Sequence, residues 1–263
     1  MFSQEAEQTE ENLYMDAHPV TNRMFREFVR ETKYPTEAER YGWSFVFKGR
    51  IPKEERKEYE SVKEASWWLA VPGAYWRAPE GKGSGISDRL DHPVTHVSLN
   101  DARFFCKWAG GHVPTDAEWD VAARGGGPLT EKKYPWPLRD SPRDHMNVWK
   151  KGKTFPRIPK NATIGLEHAL ARGPQNRIGM YNMLGGGWEW VDEVHYNIQE
   201  MAQAAKAGKE PEEKFKLRGG SYVDTVDGSA NHQVDLTTVM GNSADAGSDN
   251  LQFRCAYEGN PDE

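Results

Sequence analysis

The stretch Gly179-Met180-Tyr181-Asn182-Met183-Leu184-Gly185-Gly186-Gly187-Trp188-Glu189-Trp190 carries more information than any other in this chain. As backbone it reads as a glycine-rich turn beside two core tryptophans, because glycine bends into conformations closed to other residues. The rest of the chain repeats the theme. Gly 25 and Pro 16 make 41 of 263 residues, above the usual ~7% and ~5% shares, and Trp, Tyr and Phe stand at 10 each. Such a chain turns often and fills its core with aromatics rather than with long aliphatic helices.

At 263 residues and 29.9 kDa the chain is long enough for one large domain or two small ones. No repeat or linker divides it, so a single domain is expected over 13–257, with tails at 1–12 and 258–263. Residues 199–216 are rich in Ala, Glu and Lys with little apolar content, and read as an exposed, partly helical insertion. Lys+Arg 34 against Asp+Glu 40 leaves a net charge of −6, scattered rather than blocked, so nucleic acid is not an expected partner. Mean hydropathy is −0.84, and no run approaches the roughly 18 apolar residues of a membrane span, so no membrane partner is expected either.

Caps and apolar period predict three helices. Thr21 precedes the stripe Met24, Phe25, Phe28 and Val29, which runs to about Thr32. Ser98 with Asp101 opens a second, carrying Phe105, Cys106 and Trp108 and stopped by Gly110-Gly111. Thr115 with Glu118 opens a third, which ends at Gly125-Gly126-Gly127. Elsewhere short apolar pieces such as Ser44–Phe47 and His92–Val97 lie between turn residues and predict short strands. The class is α+β and loop-rich.

Few residues stand out for chemistry. His92 and His96 would share a helix face, but Pro93 and the β-branched residues around them argue for extended chain, which holds such a pair ~13 Å apart. No nucleophile elbow and no phosphate-binding glycine loop is present. Asp224, Asp227, His232 and Asp235 could form a carboxylate site or simply a polar surface loop. Cys106 and Cys255 are two buried thiols or one disulfide, and two such ligands cannot close a zinc site. The N-terminal MFSQEAEQTEEN has no apolar signal segment, which read literally points to the cytosol.

Taken with Arg218–Tyr222, Ser248–Ala256, His18–Asn22, His92–Val94, Pro114–Trp119 and Ala123–Gly126, the opening stretch resembles the formylglycine-generating enzyme family, the sulfatase-modifying factors. The ordered motifs run from about residue 13 to 257. The resemblance implies a C-type-lectin-like variant fold with little regular secondary structure. The block from His18 to His96, with Trp43–Phe47 and Trp67-Trp68-Leu69, resembles the animal members.

Catalytic members bind copper(I) through two cysteines, and thiolates suit that soft ion. Their positions fall here on Asp224 and Ser229, so the resemblance implies no copper and no catalytic residue. The run Asp224–His232 is similar to the cysteine-free loop of the non-catalytic vertebrate branch, proteins of the endoplasmic reticulum lumen. The resemblance also implies a Cys106–Cys255 disulfide, worth about 5 kcal/mol at most for a loop of about 150 residues. That bond calls for an oxidising compartment, so a missing signal peptide points to a truncated or spliced form. The family's opening strand is missing too, which leaves an unpaired edge as the expected start of the fold.

Calcium is the implied cofactor. Asn182, Gly185, Gly187 and Glu189 match one site of hard oxygens, while Asn147 and Val148 match part of a second whose later acidic residues are replaced by Asn161–Ile164. Asn161-Ala162-Thr163 is also a glycosylation acceptor. Trp188, Ser221 and Asn250 match positions lining the family's peptide groove. The implied function is a non-enzymatic modulator that binds sulfatases or the active formylglycine-generating enzyme, as a homo- or heterodimer. The alternatives are an enzyme using Asp224, Asp227 and His232, and a lectin-like binding module without a tie to sulfatases.

Overall fold

The computed structural model describes residues 13–63, 65–126, 133–136, 146, 148–149, 175–229 and 231–259. β1 (Leu13–Met15) leads to α1 (Asn22–Thr32), where the Thr21 hydroxyl accepts from Met24 N and the buried face carries Phe25 and Phe28. α2 (Glu37–Tyr41) starts on a capping box made by Thr36 and Glu39, a signal the sequence reading omits. β2 (Trp43–Phe47), β3 (Glu60–Ser61) and β4 (Trp68–Pro72) form an antiparallel sheet in the order β2-β4-β3. α3 (Leu99–Trp108) and α4 (Asp116–Arg124) begin on the predicted capping boxes at Ser98 and Thr115.

The second half holds β5 (Trp188–Val194), α5 (Ile198–Lys206), β6 (Phe215–Arg218), β7 (Val239–Asn242), β8 (Leu251–Gln252) and β9 (Ala256–Glu258). Their four-stranded sheet runs β7-β6-β5-β8, with β5 and β8 parallel and Trp188 opposite Leu251. That pairing needs Gly187, since a side-chain carbon there would come within 2.8 Å of Gln252 Oε1. The architecture is the expected mixture of short helices, short strands and long ordered connections.

Three expectations are corrected. His92–Val97 is no strand; Pro93 makes one bridge to Thr21, and His96 turns the chain out of the extended region at φ 61°. The exposed insertion ends before 215, because Phe215 and Lys216 belong to β6 and Phe215 is buried against the core. Glu258 is part of β9 rather than of a tail. The first described strand pairs on one side, Leu13, Tyr14 and Met15 with Glu258, Tyr257 and Ala256, and among the described residues no strand pairs with its other side.

Aromatic rings hold the main core, where Phe25 stacks on Phe105 at 5.7 Å and meets Trp76 and Phe253 edge-on. Each large ring brings more buried area than an aliphatic side chain, so short elements suffice. Cys106 of α3 and Cys255, the residue before β9, are joined by a disulfide inside this core. A second cluster of Trp119, Met183, Val191 and Leu236 lies between α4 and β5.

Candidate functional site

β2, the residues leading into β4, the first residue of β5 and the segments 223–232 and 240–251 enclose a groove of about 570 Å³. Trp43, Trp67, Trp68 and Trp188 give it aromatic walls, and Asp224, His232 and Asn250 place polar groups in it. Trp188 is held by Trp188 N donating to Asn250 O at 2.8 Å, and its ring meets His232 edge-on at 5.3 Å. Aromatic faces with a few fixed polar groups suit an extended peptide or similar ligand.

A buried polar network forms the back of the groove. Asp224 Oδ2 accepts from Ser221 N at 2.7 Å and from Ser221 Oγ at 2.6 Å, and Oδ1 accepts from His232 N while standing 3.2 Å from His232 Nδ1. Asn250 Nδ2 donates to Ser221 Oγ at 3.1 Å, and Ser248 Oγ donates to Asn250 Oδ1 at 2.6 Å. Ser221 is therefore not a lining residue as expected but sits one layer behind, fully buried. Its position follows from the Gly219-Gly220 turn, where φ values of 89° and 73° carry the chain out of β6.

The groove contains Asp224 but not Ser229. Ser229 Oγ donates to Asp227 Oδ1 at 2.6 Å on the exposed surface. Asp235 accepts from Thr237 and Thr238 instead of facing Asp224. Of the four polar residues considered together in the sequence, only Asp224 and His232 meet, so no multi-carboxylate centre is assembled. Asp224 has both oxygens engaged by Ser221 and His232, and the two cysteines of the chain are bonded to each other, so the groove offers no thiolate.

Two further polar groups join β2 to the groove. Ser44 Oγ donates to Gly247 O at 3.0 Å and stands 2.8 Å from His96 Nδ1. Burial, with the nearby Arg50 charge, holds His96 down to about 3, so the imidazole is neutral. Asp249 accepts from Phe47 N at 3.0 Å and from Tyr222 OH at 2.8 Å, and Arg50 Nε lies 3.0 Å from it. Burial pushes the Asp249 carboxyl up, with Arg50 opposing. This network ties β2 to the segment that carries Asn250.

Of the expected calcium ligands, Glu189 is engaged by protein partners. Glu189 Oε2 accepts from Trp119 Nε1 at 2.7 Å and from Arg254 Nε at 2.8 Å, while Oε1 accepts from Arg254 Nη2 at 2.7 Å and from Gln252 Nε2 at 3.4 Å. Both oxygens are saturated, and a guanidinium occupies the space beside them where a divalent cation would be repelled. Gly185 O accepts from Gly187 N at 3.0 Å, closing the turn on itself. Asn182 is a left-handed turn residue at φ 54°. The sequence reading missed Arg254 as the partner of Glu189, because 65 residues separate them. Of the second set, Val148 is buried, whereas Asn147 lies outside the described residues, as does Asn161.

Comparison with known proteins bears on the whole chain. The family model described as Sulfatase-modifying factor enzyme 1-like domain matches residues 3–258. The chain is 46% identical to the Inactive C-alpha-formylglycine-generating enzyme 2 of Mus musculus, over 95% of this chain and 76% of that protein. It is 39% identical to the Formylglycine-generating enzyme of Thermomonospora curvata, over 93% of this chain and 81% of that one. Among solved structures, PvdO from Pseudomonas aeruginosa superposes with a TM-score of 0.55 at 16% identity, covering 94% of this chain and 80% of that one, a likeness of fold.

Proposed function

This chain belongs to the sulfatase-modifying factor enzyme 1-like family, and from that membership we propose that it is a non-catalytic member that binds sulfatases, or the active formylglycine-generating enzyme, and dampens sulfatase activation. One observation carries the reading. The chain has two cysteines, and both are consumed in the Cys106–Cys255 disulfide, so no thiolate is left to hold copper(I) or to pair with a substrate thiol. Asp224 and Ser229 take the places of the family's reactive pair, and Asp224 is locked to Ser221 and His232. The similarity to mouse and bovine proteins named inactive supports the same conclusion.

What remains is a groove with tryptophan walls and a polar back that holds an extended peptide reversibly, through ring faces and amide contacts. The disulfide supports residence in an oxidising compartment, the endoplasmic reticulum lumen. In this reading the partner is the unfolded sulfatase segment itself or the enzyme that modifies it, with a homo- or heterodimer as the form in which the latter is met.

The test has two arms. Incubation with a sulfatase-derived cysteine peptide, copper and oxygen should give no formylglycine above buffer; turnover overturns the non-catalytic reading. Titration of that peptide and of its serine counterpart should give equal, reductant-insensitive binding that falls in Trp188→Ala, whereas no saturable binding removes the groove from the account.

A further inference from the structure

A second cleft, of about 990 Å³, shares no lining residue with the groove. One wall is the end of α1, where Arg26 and Arg30 are one turn apart and Lys33, the left-handed residue that follows the helix, donates from Nζ to Arg30 O at 2.5 Å. Arg77 forms another part of the lining, with its guanidinium 4.7 Å from the ring centre of the buried Trp76. Facing them is the loop Ser84-Gly85-Ile86-Ser87, and none of the backbone N–H groups of Gly85, Ile86 and Ser87 enters a backbone hydrogen bond among the described residues.

Two carboxylates, Glu27 and Glu39, line the cleft beside four cations, Arg26, Arg30, Lys33 and Arg77. Glu39 is held by the capping box, where its Oε2 accepts from both Thr36 N and Thr36 Oγ at 2.9 Å. Glu27 pairs with Arg30, an exposed pair of the kind that holds little energy and opens readily. Arg26 has no ion pair or hydrogen bond among the described residues. In a chain of net charge −6, the lining of this cleft carries an excess of two positive charges, four cations against two carboxylates.

We propose that this cleft binds a sulfate or phosphate ester carried on a sugar ring. The guanidinium fork meets two oxygens of a tetrahedral oxyanion at once, and backbone N–H groups complete such a site without adding charge. Val29, Pro35, Ile86 and Leu90 supply the apolar floor on which the face of a sugar ring rests. The cleft volume matches a ligand of one to a few rings rather than a free ion. The site is independent of the peptide groove and of the non-catalytic reading.

The test is calorimetric titration of the full chain with a sulfated heparin-derived tetrasaccharide, its desulfated counterpart and inositol hexakisphosphate. A charged ligand should bind saturably and weaken as salt screens it, and the desulfated sugar should bind at least about tenfold more weakly, the loss expected for one charge-assisted contact. The two charged arms identify whether sulfate or phosphate is preferred. Arg26→Glu with Arg77→Glu should reduce that binding by about tenfold or more while the melting transition stays in place, since both residues are exposed. Tyr196→Ala, an exposed residue that lines neither cleft nor groove, should leave it unchanged. The proposal is overturned if neither charged ligand binds saturably, if the desulfated sugar binds as well, or if the charge-reversed variant binds like the wild type.

Discussion

Replacing Glu189 with glutamine should cost the fold about 3–5 kcal/mol, because it leaves Arg254 as a buried charge without its counter-ion. The exposures are 1% for Glu189 and 0% for Arg254, so water cannot take over. Arg254 would keep Nη1 on Asp16 O at 3.0 Å and Nη2 on Tyr181 O at 3.1 Å, but neutral carbonyls do not neutralise it. Glutamine also turns an NH₂ toward one of the guanidinium nitrogens, replacing an attraction with a donor–donor contact. Against a typical total of about 5–15 kcal/mol, the loss is a large fraction of the stability. A double variant, Glu189→Leu with Arg254→Met, should recover more than half of it, since an apolar pair of similar volume removes both desolvation costs together. Urea unfolding followed by tryptophan fluorescence measures all three proteins, each in calcium and in chelator. The expected loss in Glu189→Gln is the same in both buffers. A loss under about 1 kcal/mol, or one present only with calcium, would refute the assignment of Arg254 as the partner of this carboxylate and restore a cation to it.

Two further outcomes follow from buried groups. His96 has a folded value of about 3 against an ordinary 6.5, so below 6.5 the unfolded chain takes up a proton that the folded chain refuses, and stability is lost as pH falls through that window. From pH 7 to pH 5 the loss assigned to His96 is about 2 kcal/mol, and His96→Asn, which tolerates the left-handed φ of 61°, should flatten the slope of stability against pH; an unchanged slope counts against it. The Cys106–Cys255 bond closes a separation of 149 residues, so the double alanine variant should lose up to about 5 kcal/mol in urea unfolding, and an unchanged midpoint would show that the bond adds nothing to the fold.

Local signals in the sequence sufficed wherever the cause of a structure lies within a few residues. Thr21, Ser98 and Thr115 mark the starts of α1, α3 and α4 because a capping side chain bonds to N–H groups two or three positions away. The same argument reaches Gly125, whose φ of 76° ends α4. Ordered motifs along the chain likewise identify the family without any contact being known. Tertiary structure decided everything that depends on a partner far along the chain. His92–Val97 has the residues of a strand, yet no neighbouring strand lies alongside and His96 turns inward to Ser44, 52 residues away. Glu189 has the chemistry of a calcium ligand, but packing places Arg254 against it, and a buried carboxylate satisfies whichever cation the fold delivers. Ser221 and Asn250 become the back of a groove because two glycines and a parallel pair of strands bring residues 29 apart into contact. The basic cleft likewise exists only because α1 packs across the loop at Ser84–Ser87, an adjacency that no local pattern encodes.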